Sequence, residues 1–113
     1  MPKKAKPGSE RDVQRRLITW LRKRGWFVIN TSGSWASARG MRGVPDLICI
    51  YKGATIFVEI KGYGKDELRE SQVKFFNKLG PHMGPTVDYM IVNDKWFEKA
   101  LEALKEVEND RNL

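Results

Sequence analysis

The sequence predicts an α/β protein with a mixed, mainly antiparallel central sheet flanked by helices, in the order α-β-β-β-α-β-α. Three observations carry that expectation. Val13, Leu17, Trp20 and Leu21 recur at helical spacing near the start of the chain. Leu47 to Tyr51 and Thr55 to Ile60 are rich in β-branched and aromatic residues and are joined by Lys52-Gly53, the pattern of a β-hairpin. Val87 to Val92, a third strand-like run, then falls between two further helical stretches.

A chain of 113 residues suits one compact domain, expected over residues 9–113 behind a short arm. With 41% hydrophobic residues the sequence has enough apolar surface for a core, which argues against disorder. No apolar run approaches the roughly 20 residues of a membrane-spanning helix, and the N-terminus lacks the apolar stretch of a signal peptide. The single cysteine, Cys49, makes neither an internal disulfide nor a zinc site, so a reducing cytoplasm is expected and a buried hydrophobe is its expected role. The net charge of +7 is concentrated early: residues 1–42 hold 11 Lys/Arg against two acids, and residues 43–113 hold 10 against 12. Such polarity fits a basic face meeting a polyanion, nucleic acid being the commonest, although a solvated tail gives the same count.

Residues 1–8, with Lys3, Lys4 and Lys6, read as a basic flexible arm. Ser9 then caps the first helix, Asp12 stands three residues on as an acidic variant of the capping box, and Gly25 ends the helix after Arg22-Lys23-Arg24. Glu10, three residues before Val13, falls on the apolar stripe; it is either a solvated first-turn acid or a carboxylate awaiting a metal. Trp26 to Asn30 reads as a short strand, followed by the Gly- and Ser-rich stretch 31–43. Arg39, Arg42 and Trp35 there suit phosphate and stacking contacts, or the stretch is simply a mobile connection with Trp35 over the core.

After the hairpin, a flexible link containing Lys65 leads into a helix starting between Asp66 and Glu70, with Leu68, Phe75, Phe76 and Leu79 on its buried side. Gln72 shares that side, either as a satisfied structural amide or as part of a site. Asn93 or Asp94 caps the last helix, whose buried stripe is expected to hold Trp96, Phe97, Ala100, Leu101 and Leu104. His82 is the sole histidine and is expected to be an exposed turn residue, so no histidine-assisted nucleophile is in prospect.

The hairpin carries the chemistry. With Lys52-Gly53 as a two-residue loop, Asp46 lies opposite Glu59, and opposed side chains on one face stand roughly 5 Å apart at Cβ. Lys61, two residues beyond Glu59, projects from the same face. Two acids and a lysine at the end of an apolar hairpin suit a hard divalent cation, which favours carboxylates, a carbonyl and waters. A cation so held polarises a phosphate, and Lys61 offsets developing negative charge. A cross-strand ion pair is the plainer alternative.

Pro45-Asp46, followed after twelve residues by Glu59-Ile60-Lys61, resembles the PD-(D/E)xK nuclease signature, and the predicted element order resembles the core of that superfamily. More narrowly, Glu10 with Gln14, Gly43-Val44-Pro45-Asp46, Glu59-Ile60-Lys61 and Gln72 resemble the virus-type replication-repair nuclease (VRR-NUC) family over about residues 10–80. The resemblance implies that Asp46, Glu59 and the Ile60 carbonyl hold Mg²⁺ or Mn²⁺. It makes Glu10 the first-helix acid of that metal site, Lys61 the catalytic lysine and Gln72 its polar support. It implies a DNA endonuclease, and small stand-alone members resemble phage enzymes that act as dimers on branched DNA, including Holliday junctions; the setting would then be the host cytoplasm. DNA contacts would fall to Lys3, Lys4, Lys6, Arg39, Arg42 and Lys65, or to a second subunit. A non-catalytic DNA-binding module and a restriction-type enzyme acting on duplex DNA are the competing expectations.

Overall fold

A computed structural model of the protein describes residues 4–32 and 41–113. Lys3, Trp35 and Arg39 lie outside the described residues. The order of elements is α1 (Glu10–Lys23), β1 (Phe27–Asn30), β2 (Leu47–Tyr51), β3 (Ala54–Ile60), α2 (Glu70–Leu79), a short 3₁₀ turn (Gly80–His82), β4 (Val87–Val92) and α3 (Phe97–Arg111). The four strands form one sheet in the order β1-β2-β3-β4. The first three are antiparallel neighbours, and β4 runs parallel to β3. A parallel neighbour needs a crossover connection, which the segment containing α2 supplies.

The hairpin register is the one the sequence implies, with Leu47 opposite Val58 and Tyr51 opposite Ala54. Lys52 and Gly53 both have positive φ, +44° and +86°, as a type I′ turn demands. Alternation then divides the sheet. Leu47, Cys49, Ile56, Val58, Ile60 and Val92 face a single core closed by Val13, Leu17 and Leu21 of α1 and by Phe97, Leu101 and Leu104 of α3. Burial pushes the Cys49 thiol up to about 12, leaving it an inert apolar filler. The opposite face carries Phe57 and Tyr89, and α2 lies against it through Phe75 on Phe57 (5.8 Å between centroids) and Phe76 edge-on to Tyr89 (5.0 Å).

The ends of α1 follow local chemistry. Ser9 Oγ accepts from the Asp12 amide, while the Asp12 carboxylate reaches back one residue further, to the Gly8 amide. At the other end Gly25 adopts φ +88°, and the amides of Gly25 and Trp26 bond to Arg22 O and Leu21 O, the paired bonds of a Schellman stop. That stop takes up Trp26, so β1 begins at Phe27.

Three expectations change. On α1 the buried acid is Asp12, held by Gly8 and its arginine neighbours, whereas Glu10 is exposed. Trp96 is 46% exposed because it sits in the turn ahead of α3, under the ammonium groups of Lys95 and Lys99. On α2, Phe75, Phe76 and Leu79 are only half-buried, Leu68 lies before the helix, and the one fully buried residue is the polar Gln72. Among the described residues no helix is long and apolar enough to cross a membrane.

Candidate active site

Beyond Leu47 and Val58, the next pair outward in the hairpin register is Asp46 with Glu59, on the α2 side of the sheet. Asp46 stands where the chain enters β2. Its carbonyl accepts from the Thr31 amide at 2.8 Å, and the Thr31 hydroxyl donates to the neighbouring Pro45 carbonyl. Its carboxylate accepts from the Ile60 amide at 2.8 Å, tying the two strands together where they leave the regular ladder. The Ile60 side chain meanwhile fills the core on the far face.

Glu59 is 3% exposed, and Lys61 is buried beside it. Gln72 joins them. Its Nε2 donates to Glu59 Oε1 at 2.8 Å, and its Oε1 accepts from Lys61 Nζ at 2.9 Å and from the Arg69 amide at 2.7 Å. Two donors converge on one end of the amide and a carboxylate meets the other, so only one orientation of the amide serves all three. The bond that Gln72 Oε1 accepts from the Arg69 amide also caps the start of α2, so the residue that opens the helix is the one that orders the site.

Glu59 Oε2 is buried and has no hydrogen-bond partner among the described residues. Burial foremost, then the neighbouring Asp46 carboxylate, push the Glu59 carboxyl up to about 8 against the pull of Lys61 and Arg69. The Tyr89 hydroxyl, likewise buried without a partner, is raised to about 12 by burial, then by the charges of Glu59 and Asp46. Hard oxygen donors, an orphaned carboxylate oxygen and a crowding of negative charge fit a small divalent cation.

Glu10 does not join that pair directly. Among the described residues no cluster of three or more His, Cys, Asp or Glu side chains is disposed to hold a metal. Glu10 instead lines, with Lys61, Lys65 and Arg69, an open cleft of about 640 Å³. The α1 N-terminus is brought there by Gly62, whose missing side chain lets residues 8–10 pass: a Cβ on Gly62 would lie 2.5 Å from the Glu10 nitrogen. Gly8 O accepts from the Tyr63 amide next to it.

Of the expected DNA contacts, Lys4, Lys6, Arg42 and Lys65 are all exposed. Lys65 lies at the cleft, Lys4 borders a separate groove along α1, and Arg42 lies in a hollow beside Lys74 and Lys78 of α2. Gln14, which entered only through the family resemblance, bonds to Asn30 Oδ1 and Ser32 Oγ at 3.1 and 2.7 Å. Sequence reasoning missed Tyr89, Arg69, Thr31 and the close approach at Gly62. Only Tyr89 left a trace, the odd numbering it shares with Val87 and Ile91 along its strand.

Residues 3–76 match the model of a family described as archaeal Holliday junction resolvase (Hjc), a span that includes Asp46, Glu59, Lys61 and Gln72. A solved structure titled "VRR_NUC domain" is similar over 82% of this chain and 94% of that chain, with 24% sequence identity and a TM-score of 0.64. The fold is thus that of a VRR-NUC, PD-(D/E)xK-like nuclease domain. No curated protein matches the chain.

Proposed function

Because the chain belongs to the archaeal Holliday junction resolvase (Hjc) family, a family of nucleases, we propose that it is a divalent-metal-dependent endonuclease cutting branched DNA, four-way junctions foremost. The observation that carries this reading is the buried carboxylate Glu59, with one oxygen unpartnered, set against Asp46 and next to the Lys61–Gln72 pair. Asp46, Glu59 and the Ile60 carbonyl would hold Mg²⁺ or Mn²⁺, with Glu10 as the outer acid at the mouth of the cleft. The bound cation would polarise the scissile phosphate and favour ionisation of the attacking water.

The chain's own residues do the rest. Lys61 presents a fixed positive charge to the phosphate, offsetting charge that grows as the P–O bond breaks. Gln72 keeps Lys61 and Glu59 apart and aimed, so that neither collapses onto the other as a simple ion pair. Arg69 and Lys65 along the cleft draw the substrate backbone towards the site. Two cuts across a twofold-symmetric junction need two such sites, and a homodimer is the simplest provision.

The test is a panel of labelled four-way, flapped, splayed-arm and plain duplex DNAs in Mg²⁺, Mn²⁺ and EDTA. The wild type should cut the four-way substrate in Mg²⁺ and nothing in EDTA. Asp46→Asn and Lys61→Ala should still bind it and should cut at least roughly 10³-fold more slowly. A wild type that cleaves none of the panel in either metal leaves a DNA-binding module. Cleavage dictated by a unique duplex sequence makes it a restriction-type enzyme.

A further inference from the structure

A second concave surface runs away from the cleft along the outer side of α1. It has a volume of about 710 Å³, and among the described residues lining it are four cations, Lys4, Arg11, Arg15 and Arg22, and no acid. At 100° and 1.5 Å per residue, Arg11, Arg15 and Arg22 fall within a wedge of about 40° and span about 16 Å. Duplex DNA presents one phosphate per about 3.4 Å of axis on each strand, so the row matches a run of about five nucleotides.

The groove is fastened to the active site at both walls. One wall is α1, which begins with Glu10 at the cleft. The other is the end of β1, where Asn30 and Ser32 are bonded to Gln14, and Thr31 between them donates to the Asp46 carbonyl. Among the described residues two arginines are steadied by long contacts, Arg15 to Asp12 and Arg22 to the Val28 carbonyl, each at 3.4 Å. Their charge is oriented but not consumed, as a phosphate seat requires.

We propose that this groove seats the sugar-phosphate backbone of the duplex arm that leads into the active site, with Arg15 and Arg22 as phosphate contacts. The direction of the arm rests on the nuclease reading; the seat itself is tested without cleavage. Binding of fluorescein-labelled duplex and four-way DNA is followed by anisotropy in EDTA across a salt titration. The double variant Arg15→Ala/Arg22→Ala should bind about tenfold more weakly, and its plot of log affinity against log salt should flatten by about 2.

Arg15→Lys/Arg22→Lys should restore the wild-type slope, and a control that removes two cations from α3, Lys99→Ala/Lys105→Ala, should leave it unchanged. Thermal melting of each variant separates lost contacts from lost fold. An unchanged slope in the folded double variant, or an equal flattening in the α3 control, overturns the proposal. A wild type that binds with the steep slope yet cuts nothing removes the nuclease reading and leaves the seat standing.

Discussion

Glu59 is a carboxyl held in a place where its charge is costly, and the cost has a sign. Its folded-state value of about 8 lies above the ordinary 4.5, so the folded protein keeps a proton that the unfolded chain has released. Without metal, stability from this group is therefore greatest below about 4.5 and is lost as pH rises towards 8. In EDTA the melting temperature should fall by roughly 10 °C or more between pH 5.5 and 8.5. Glu59→Gln, which carries no charge at either pH, should flatten that fall, and an identical decline in the variant would show that other groups cause it. The pairing of Asp46 with Glu59 was legible in the sequence because a two-residue turn and a period of two determine it. Gln72 was legible through helical spacing. Tyr89 was not, since no turn sets the register of a parallel neighbour. Nor was the exchange of Glu10 for Asp12 as the buried acid, because the docking of residues 8–10 on Gly62 decides how the first turn of α1 is rotated.

Among the elements, the contact between the start of α1 and the strand exit at Gly62 joins the cleft's two sides. A methyl group at Gly62 would press on the Glu10 nitrogen at 2.5 Å and on the Ser9 carbonyl carbon at 2.9 Å, backbone atoms that cannot swing aside. Gly62→Ala should therefore destabilise the fold by about 1–3 kcal/mol in chemical denaturation. It should also slow junction cleavage in the fraction that remains folded, as Glu10 is driven from the cleft. A variant with unaltered stability would mean that the helix end is free to shift. Helix existence and the order of elements could be read from periodicity here, but close backbone approach could not, because glycine marks a turn and a tight crossing with the same letter.

Over the whole molecule, one buried carboxylate ties the last helix to the first. Glu108 accepts three bonds from Arg24 at 2.6 to 3.0 Å and one from Trp26 Nε1 at 2.7 Å, joining α3 to the Schellman stop of α1. Burial alone would raise this carboxyl, but the hydrogen bonds from Arg24 and Trp26 and the guanidinium charge outweigh it and hold it below the ordinary value. Its contribution is present at neutral pH and lost as pH falls, opposite in sense to that of Glu59. Glu108→Ala, leaving the indole N–H buried without an acceptor, should lower the melting temperature by roughly 5 °C or more at pH 7 and by less at pH 4. A drop of equal size at both would sink the ion-pair account. The stripe read from the sequence left out Glu108 and put Trp96 in the core. Trp96 is displaced because it falls in the turn ahead of α3, whereas Glu108, four residues past Leu104, continues the predicted stripe and is admitted to the interior by Arg24 and Trp26, partners distant in sequence.

The tip of the β2–β3 hairpin sits at the opposite end from the carboxylates, about 20 Å of strand away. Arg111 of α3 donates to the Lys52 carbonyl, and Asn112 bonds to Tyr51 and Lys52, so the tail of the chain braces that tip. One residue added there would slide β2 against β3 by a single step and bury the wrong parity of every strand position. Asp46 would then face across the sheet from Glu59, and charges would enter the core. The turn thus works as a distant ruler for the chemistry, and the C-terminal helix, which touches no carboxylate of the site, keeps the ruler in place.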